Sequence, residues 1–420
     1  MKRLLAISWE MPPMYGPRAT QVSRTLGALT GCGWESTVIC LDPRRGGPNW
    51  PDGADATMPP GVTAIRVKSP EEWLITRTLW RLMPRLRDRP DPKWVWVRRA
   101  SRAAIDESAN GTFAGLVSFA QPWSSHLAGL RVHRRTKLPW VAHFSDPWID
   151  SPYWCGSAAQ RAMAAKLEEH VVREATALAF VTSEAADLVM KKYPAEWRTK
   201  ASVVPHGFAT RPSRRSSEAA TADRRSPLRL VYTGRFYDGL RTPSAIFRAL
   251  AKVNNEEPLD GVVELTFVGP FVTGFAREAR ELGVDHLVRL KDKVAAAEAQ
   301  SMAADADVLV VIDAPTDGPS PFLPSKLVDY LPLRKPMLGI TPREGASATL
   351  IRRTGGLVAA PDDEAGIRVA LRDLIARWRE GRLGLAADFD RVTAEYDITN
   401  TTAAFSDVLA RAFAAPGLTS

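Results

Sequence analysis

Short runs of β-branched and apolar residues alternate along this chain with longer stretches whose apolar positions recur at helical spacing. In the first half the short runs fall at 4–8, 36–40, 115–119, 140–144, 178–182 and 202–205. Strand-length runs separated by amphipathic helices predict βαβ units around a parallel sheet. A polar, Arg/Ser-rich stretch at 210–227 then breaks the rhythm without apolar periodicity and reads as a solvated linker. Beyond it the alternation restarts at 228–233 and continues at 263–268, 287–290, 308–312, 336–340 and 356–359. The pattern therefore predicts an α/β chain with two Rossmann-like, doubly wound parallel-sheet domains, 1–209 and 228–397. Two helices close the chain. One spans 364–379, with Leu371, Leu374, Ile375 and Trp378 at helical spacing, and a last helix within 398–420 is expected to pack back on the first domain.

A length of 420 residues exceeds what one hydrophobic core usually serves, which agrees with two domains. No uninterrupted apolar run approaches the ~18 residues of a membrane span. The apolar opening is cut off by Glu10-Met11-Pro12-Pro13, too early for a signal segment, so a cytoplasmic protein is expected. Cys32, Cys40 and Cys155 lack C-x-x-C spacing and read as small buried hydrophobes. The net charge of +9 points to anionic partners: nucleic acid, phospholipid headgroups or phosphorylated substrates.

Doubly wound sheets bind ligands beyond the carboxyl ends of their strands, so the residues following each predicted strand are the candidates. After 4–8 come Gly16, which lets backbone amides approach a ligand, and Arg18 at the start of a helix. After 140–144 comes Ser145-Asp146-Pro147-Trp148, where Asp146, beside His143, can hold a sugar hydroxyl or simply open a turn. After 228–233 the loop Gly234-Arg235 to Arg241 offers two guanidinium groups, a chemistry suited to a diphosphate, although a surface turn also fits. Finally, 322–331 reads as a helix start in which Ser325 and Lys326 meet a phosphate and Asp329, one turn later, reaches a ribose diol. Asp305 and Asp307 form an Asp-x-Asp ahead of a buried strand, read as a helix end, and no metal or other cofactor is expected.

These four places, in this order, resemble the retaining GT-B glycosyltransferases of family 4, particularly those of cell-envelope polysaccharide synthesis. The resemblance lies in Pro12 to Arg18, Asp146-Pro147-Trp148, Gly234-Arg235 and Ser325 to Leu331, and spans nearly the whole chain. It implies two domains facing across a cleft. A nucleotide-sugar donor would sit on the second, with Arg235 and Lys326 neutralising the departing diphosphate and Gly16, Gly234, Arg241, Ser325 and Asp329 contributing to donor binding. Asp146 would act in catalysis from the first domain, with Arg18, His143 and His206 near the sugar or acceptor. Two departures stand out: Leu240 where the loop Arg usually has a Lys partner, leaving Arg241 as the nearest cation, and Pro321 where the E-x7-E motif has its first acid. Retention of configuration and donor identity stay open on that account.

Nine basic residues lie from Arg77 to Arg102, interleaved with Trp80, Trp94 and Trp96. That composition suits an anionic membrane surface or an ordinary packed helix, and with the family resemblance the membrane reading implies a polyprenyl-diphosphate-linked acceptor. Nucleic acid is not expected, since no RNA-binding or helix-turn-helix signature accompanies it. A catalytically silent scaffold and a sugar-nucleotide 2-epimerase are the alternatives.

Overall fold

A computed structural model describes residues 1–14, 16–43, 57–70, 78, 81–82, 90–209, 227–237, 239–270 and 272–414. The chain divides into two compact units, Met1–Gly207 with Asp397–Ser420, and Phe208–Tyr396. The expected linker at 210–227 lies, but for its last residue, outside the described residues.

The first unit is built on seven parallel strands: β1 (Lys2–Ser8), β2 (Trp34–Leu41), β3 (Val62–Val67), β4 (Gly115–Phe119), β5 (Trp140–Phe144), β6 (Ala177–Phe180) and β7 (Ala201–Val203). Their order, β3-β2-β1-β4-β5-β6-β7, reverses between β1 and β4, where Leu4 pairs with Ser36 on one side and Gly115 on the other. The chain pattern does not predict β3. It is an edge strand, buried only at Val62, so its alternation is weak. The central strands are buried on both faces, which is why they read as continuous apolar runs.

Helix Ile398–Ala414 belongs to this unit and buries Phe405, Val408, Leu409 and Ala412 among β-sheet residues such as Val117, Phe119 and Val141. Gly115 lets it come close, because a Cβ there would lie 2.3 Å from the Phe413 ring. Cys40 is buried as expected, but Cys32 and Cys155 are exposed, because they fall at a helix end and in a loop rather than on the sheet.

The second unit holds six parallel strands: β8 (Leu228–Thr233), β9 (Val263–Val268), β10 (Val288–Lys291), β11 (Val308–Ile312), β12 (Met337–Ile340) and β13 (Leu357–Ala359). Their order, β10-β9-β8-β11-β12-β13, is the Rossmann order, with its reversal between β8 and β11. Helices Ser244–Glu256 and Glu364–Arg379 pack together, placing Ile246, Phe247, Ile367 and Leu371 in one core with Tyr232 and Phe267. Burying each such side chain contributes ~1.5–3 kcal/mol. Both sheets thus present loop-borne residues at a topological switch point.

Candidate active site

The loop after β8 is shaped by two glycines. Gly234 has φ +150°, and a Cβ there would lie 2.0 Å from Lys326 Nζ. Gly269, after β9, has φ +155°, and its Cβ would lie 1.9 Å from the Gly234 carbonyl oxygen. Only residues without side chains permit this approach of backbone to backbone and of the Lys326 ammonium to the loop. Lys326 stands on helix Ser325–Tyr330, donates to the Tyr232 hydroxyl at 2.9 Å and lies 4.1 Å from the centre of that ring. From the same helix Tyr330 accepts the Thr233 N–H at 2.9 Å, tying the helix to the end of β8.

Arg241 enters from the other side of the loop, which is closed by paired backbone hydrogen bonds between Tyr237 and Arg241 of 2.9 and 2.8 Å. Its Nη2 donates to the Arg235 carbonyl at 2.9 Å, and its Nη1 lies 3.9 Å from Asp313 Oδ1. The Nε is buried without a hydrogen-bond partner. Asp313 directly follows β11, is 5% exposed, and accepts a hydrogen bond from Thr341 Oγ1 at 3.3 Å. Burial, and then the neighbouring Arg241, pushes the Lys326 ammonium well below its ordinary range, while Asp313 acts in the opposite direction. Burial raises the Asp313 carboxyl, with Arg241 opposing.

Gly234, Arg241 and Lys326 therefore meet at one point. Arg235 takes part through its carbonyl, its side chain being exposed, and Ser325 and Asp329 are half-buried on the Lys326 helix. A pocket of about 130 Å3 adjoins, lined by Leu240, Thr242, Ser244, Arg248, Asp313 and Asp362.

The first unit gathers a second cluster at its own switch point. Gly16 caps the start of helix Pro17–Leu29, and a Cβ there would lie 3.2 Å from Glu10 Oε2. Arg18, 9% exposed with its Nε unpartnered, approaches His143 Nδ1 at 3.5 Å. Burial pushes Arg18 down to about 10, with Asp146 and Glu10 pulling the other way. Asp146 accepts from Ser145 Oγ at 3.1 Å and Gln121 Nε2 at 3.4 Å, and burial raises its carboxyl. The His143 and His206 rings stack 6.2 Å apart, and burial and then Arg18 hold both neutral, His206 at about 3. Such a set offers carboxylate acceptors and guanidinium donors to hydroxyl groups.

Sequence reading passed over Glu10 and Asp313. The rule that singles out Asp146, a polar residue immediately past a strand, applies to both and would have found them.

Among the described residues no group of three or more His, Cys, Asp or Glu is placed to hold a metal ion. Asp305 ends helix Ala296–Ala304, and Asp307 accepts the Arg229 N–H at 2.9 Å. Of the basic and aromatic stretch, 77, 79–80 and 83–89 lie outside the described residues. Within the rest, Trp96 and Val97 are not membrane-facing as the interleaving suggested. They are core residues, with Trp96 fully buried edge-on against Trp9 at 5.2 Å. Arg98, Arg99 and Arg102 are exposed, and no described helix is long and apolar enough to cross a membrane.

Residues 18–207 match the Glycosyl transferase 4-like domain family. No curated protein matches the sequence. Among solved structures, sucrose-phosphate synthase from Thermosynechococcus elongatus superposes with a TM-score of 0.70 at 15% identity, covering 99% of this chain and 100% of that one. An E. coli trehalose-6-phosphate protein bound with UDP-2-fluoro glucose gives 0.63 at 14%, covering 97% and 99%. WaaG, a glycosyltransferase involved in lipopolysaccharide biosynthesis, gives 0.59 at 15%, covering 97% and 99%. With its two Rossmann-like units and a Glycosyl transferase 4-like domain over 18–207, the chain is a glycosyltransferase of the GT-B fold.

Proposed function

We propose that this enzyme moves a sugar from a nucleotide-sugar donor, held by the second unit, to a hydroxyl of an acceptor held by the first, without a metal. The observation that carries the reading is the convergence of Lys326 and Arg241 on the Gly234 loop at the switch point of an all-parallel sheet. As the bond between the sugar's anomeric carbon and the diphosphate oxygen breaks, negative charge grows on that oxygen. Two fixed cations in a partly dry site stabilise it more in the transition state than in the ground state. Arg235 adds a third guanidinium from the loop, Ser325 a hydroxyl, and Asp329 binds the ribose. Asp146, with Arg18, His143 and His206, orients the attacking hydroxyl or the transferred sugar, and Gly16 leaves room for the donor. The likeness to the E. coli protein bound with UDP-2-fluoro glucose supports a nucleotide-sugar donor.

The acceptor we favour is a polyprenyl-diphosphate-linked sugar at an anionic membrane surface, in envelope or exopolysaccharide synthesis, with retention of configuration. The net charge of +9, the exposed Arg98, Arg99 and Arg102, and the likeness to WaaG support this finer reading. The silent-scaffold alternative is favoured by Pro321, a buried proline where an acid is expected.

Thermal shift of the purified protein against nucleoside diphosphates and sugar nucleotides, with and without EDTA, tests the reading, because a ligand bound only by the folded state stabilises it by mass action. An EDTA-insensitive shift with one nucleotide series, followed by donor hydrolysis or transfer, is the expected result. Absence of any shift or turnover leaves the scaffold.

A further inference from the structure

We propose that Asp313 is a positioning residue of the diphosphate site, holding Arg241 and keeping Lys326 charged; this rests on the donor reading above. Two cations in a half-buried site repel each other and lose hydration, so something must keep both in place before an anionic ligand arrives. Asp313 is the carboxylate that does so. It sits at the end of β11, across the switch point from the β8 loop, with Oδ1 3.9 Å from Arg241 Nη1. Its other oxygen is fixed by Thr341 at 3.3 Å, and its own N–H donates to the Ile340 carbonyl at 2.9 Å.

The groups acting on Lys326 can be followed element by element. From β8 comes the Tyr232 hydroxyl, from the loop after it Arg241, and from the end of β11 Asp313. Burial and Arg241 both disfavour the ammonium, and the Asp313 carboxylate favours it. On the Lys326 helix Tyr330 faces Thr233, and the phenols of Tyr232 and Tyr330 are both raised by burial, so neither competes for charge near neutrality. Removing the Asp313 charge therefore lets Lys326 surrender its proton at lower pH and frees one Arg241 nitrogen from its carboxylate.

The test is binding of inorganic pyrophosphate to the full chain by titration calorimetry from pH 6 to 10, comparing wild type with Asp313→Asn, Asp313→Glu and Thr341→Val. Pyrophosphate's own ionisation is common to all four and cancels in the ratios. In Asp313→Asn the alkaline loss of binding should begin at least about one pH unit earlier, the scale of an opposite charge within ~4–6 Å. Asp313→Glu should restore most of that shift. Thr341→Val, which keeps the charge but loosens it, should move it less in the same direction, and it carries the test if Asp313→Asn does not fold. Unshifted alkaline limbs in variants that bind pyrophosphate overturn the role of Asp313 alone. Failure of the wild type to bind overturns the donor reading, and this proposal with it.

Discussion

Lys326 and Arg241 are each worth a definite loss of rate if they meet the leaving diphosphate. Lys326→Ala and Arg241→Ala should each lower kcat by ~10²-fold or more, as loss of one transition-state charge contact does, in initial-rate assays of transfer. Near-wild-type rates in both would remove the assigned site. Asp146 belongs to the other unit, so Asp146→Asn should abolish transfer while leaving nucleoside diphosphate affinity unchanged in calorimetry. His126 gives a prediction of a different kind. It is fully buried, bonded to Ser118 Oγ at 2.8 Å, and burial pushes it from 6.5 down to about 3. A group depressed in the folded state gives stability that is present above its unfolded pKa and is lost as pH falls towards the folded one. Urea midpoints should therefore drop as pH is lowered from about 6.5 towards 4, and in His126→Leu that slope should be shallower, whatever its starting stability.

Among elements, the β8 and β9 loops are interlocked by Gly234 and Gly269. Gly269→Ala places a Cβ against the Gly234 backbone and demands a φ of +155°, so the loops must part. It should destabilise the protein by ~1–3 kcal/mol in urea and weaken nucleoside diphosphate binding, where Gly274→Ala, whose Cβ meets nothing, should not. The central strands were legible because each is a short apolar run buried on both faces. The residues just past their ends were legible because carboxyl-edge loops are local in sequence. What could not be read was adjacency: Arg241 meets Asp313 only because β11 lies next to β8, and sheet order leaves no mark in a periodic pattern. The same limit hid the burial of Trp96. A tryptophan among arginines looks superficial until β1 brings Trp9 against it. Edge strand β3, with one buried residue, gave too weak an alternation.

At the scale of the molecule, the two units carry separate cores. A chain of residues 208–396 should fold alone with a cooperative urea transition, whereas a chain ending at Tyr396 should lose the first unit's transition and keep the second's. The reason is that Phe405, Val408 and Leu409 complete the first core from helix Ile398–Ala414. A single unresolved transition in both would show the division to be geometric only.

That last helix also sets an order of events during synthesis. The first unit is begun before residues 208–396 are made but is finished only after them, by helix Ile398–Ala414, so through their translation its sheet waits with an uncovered apolar strip. The second unit, begun later, has all its strands and can close first. Nascent chains therefore present a finished second unit and an unfinished first one, and chaperone demand should concentrate on the unit that started earlier.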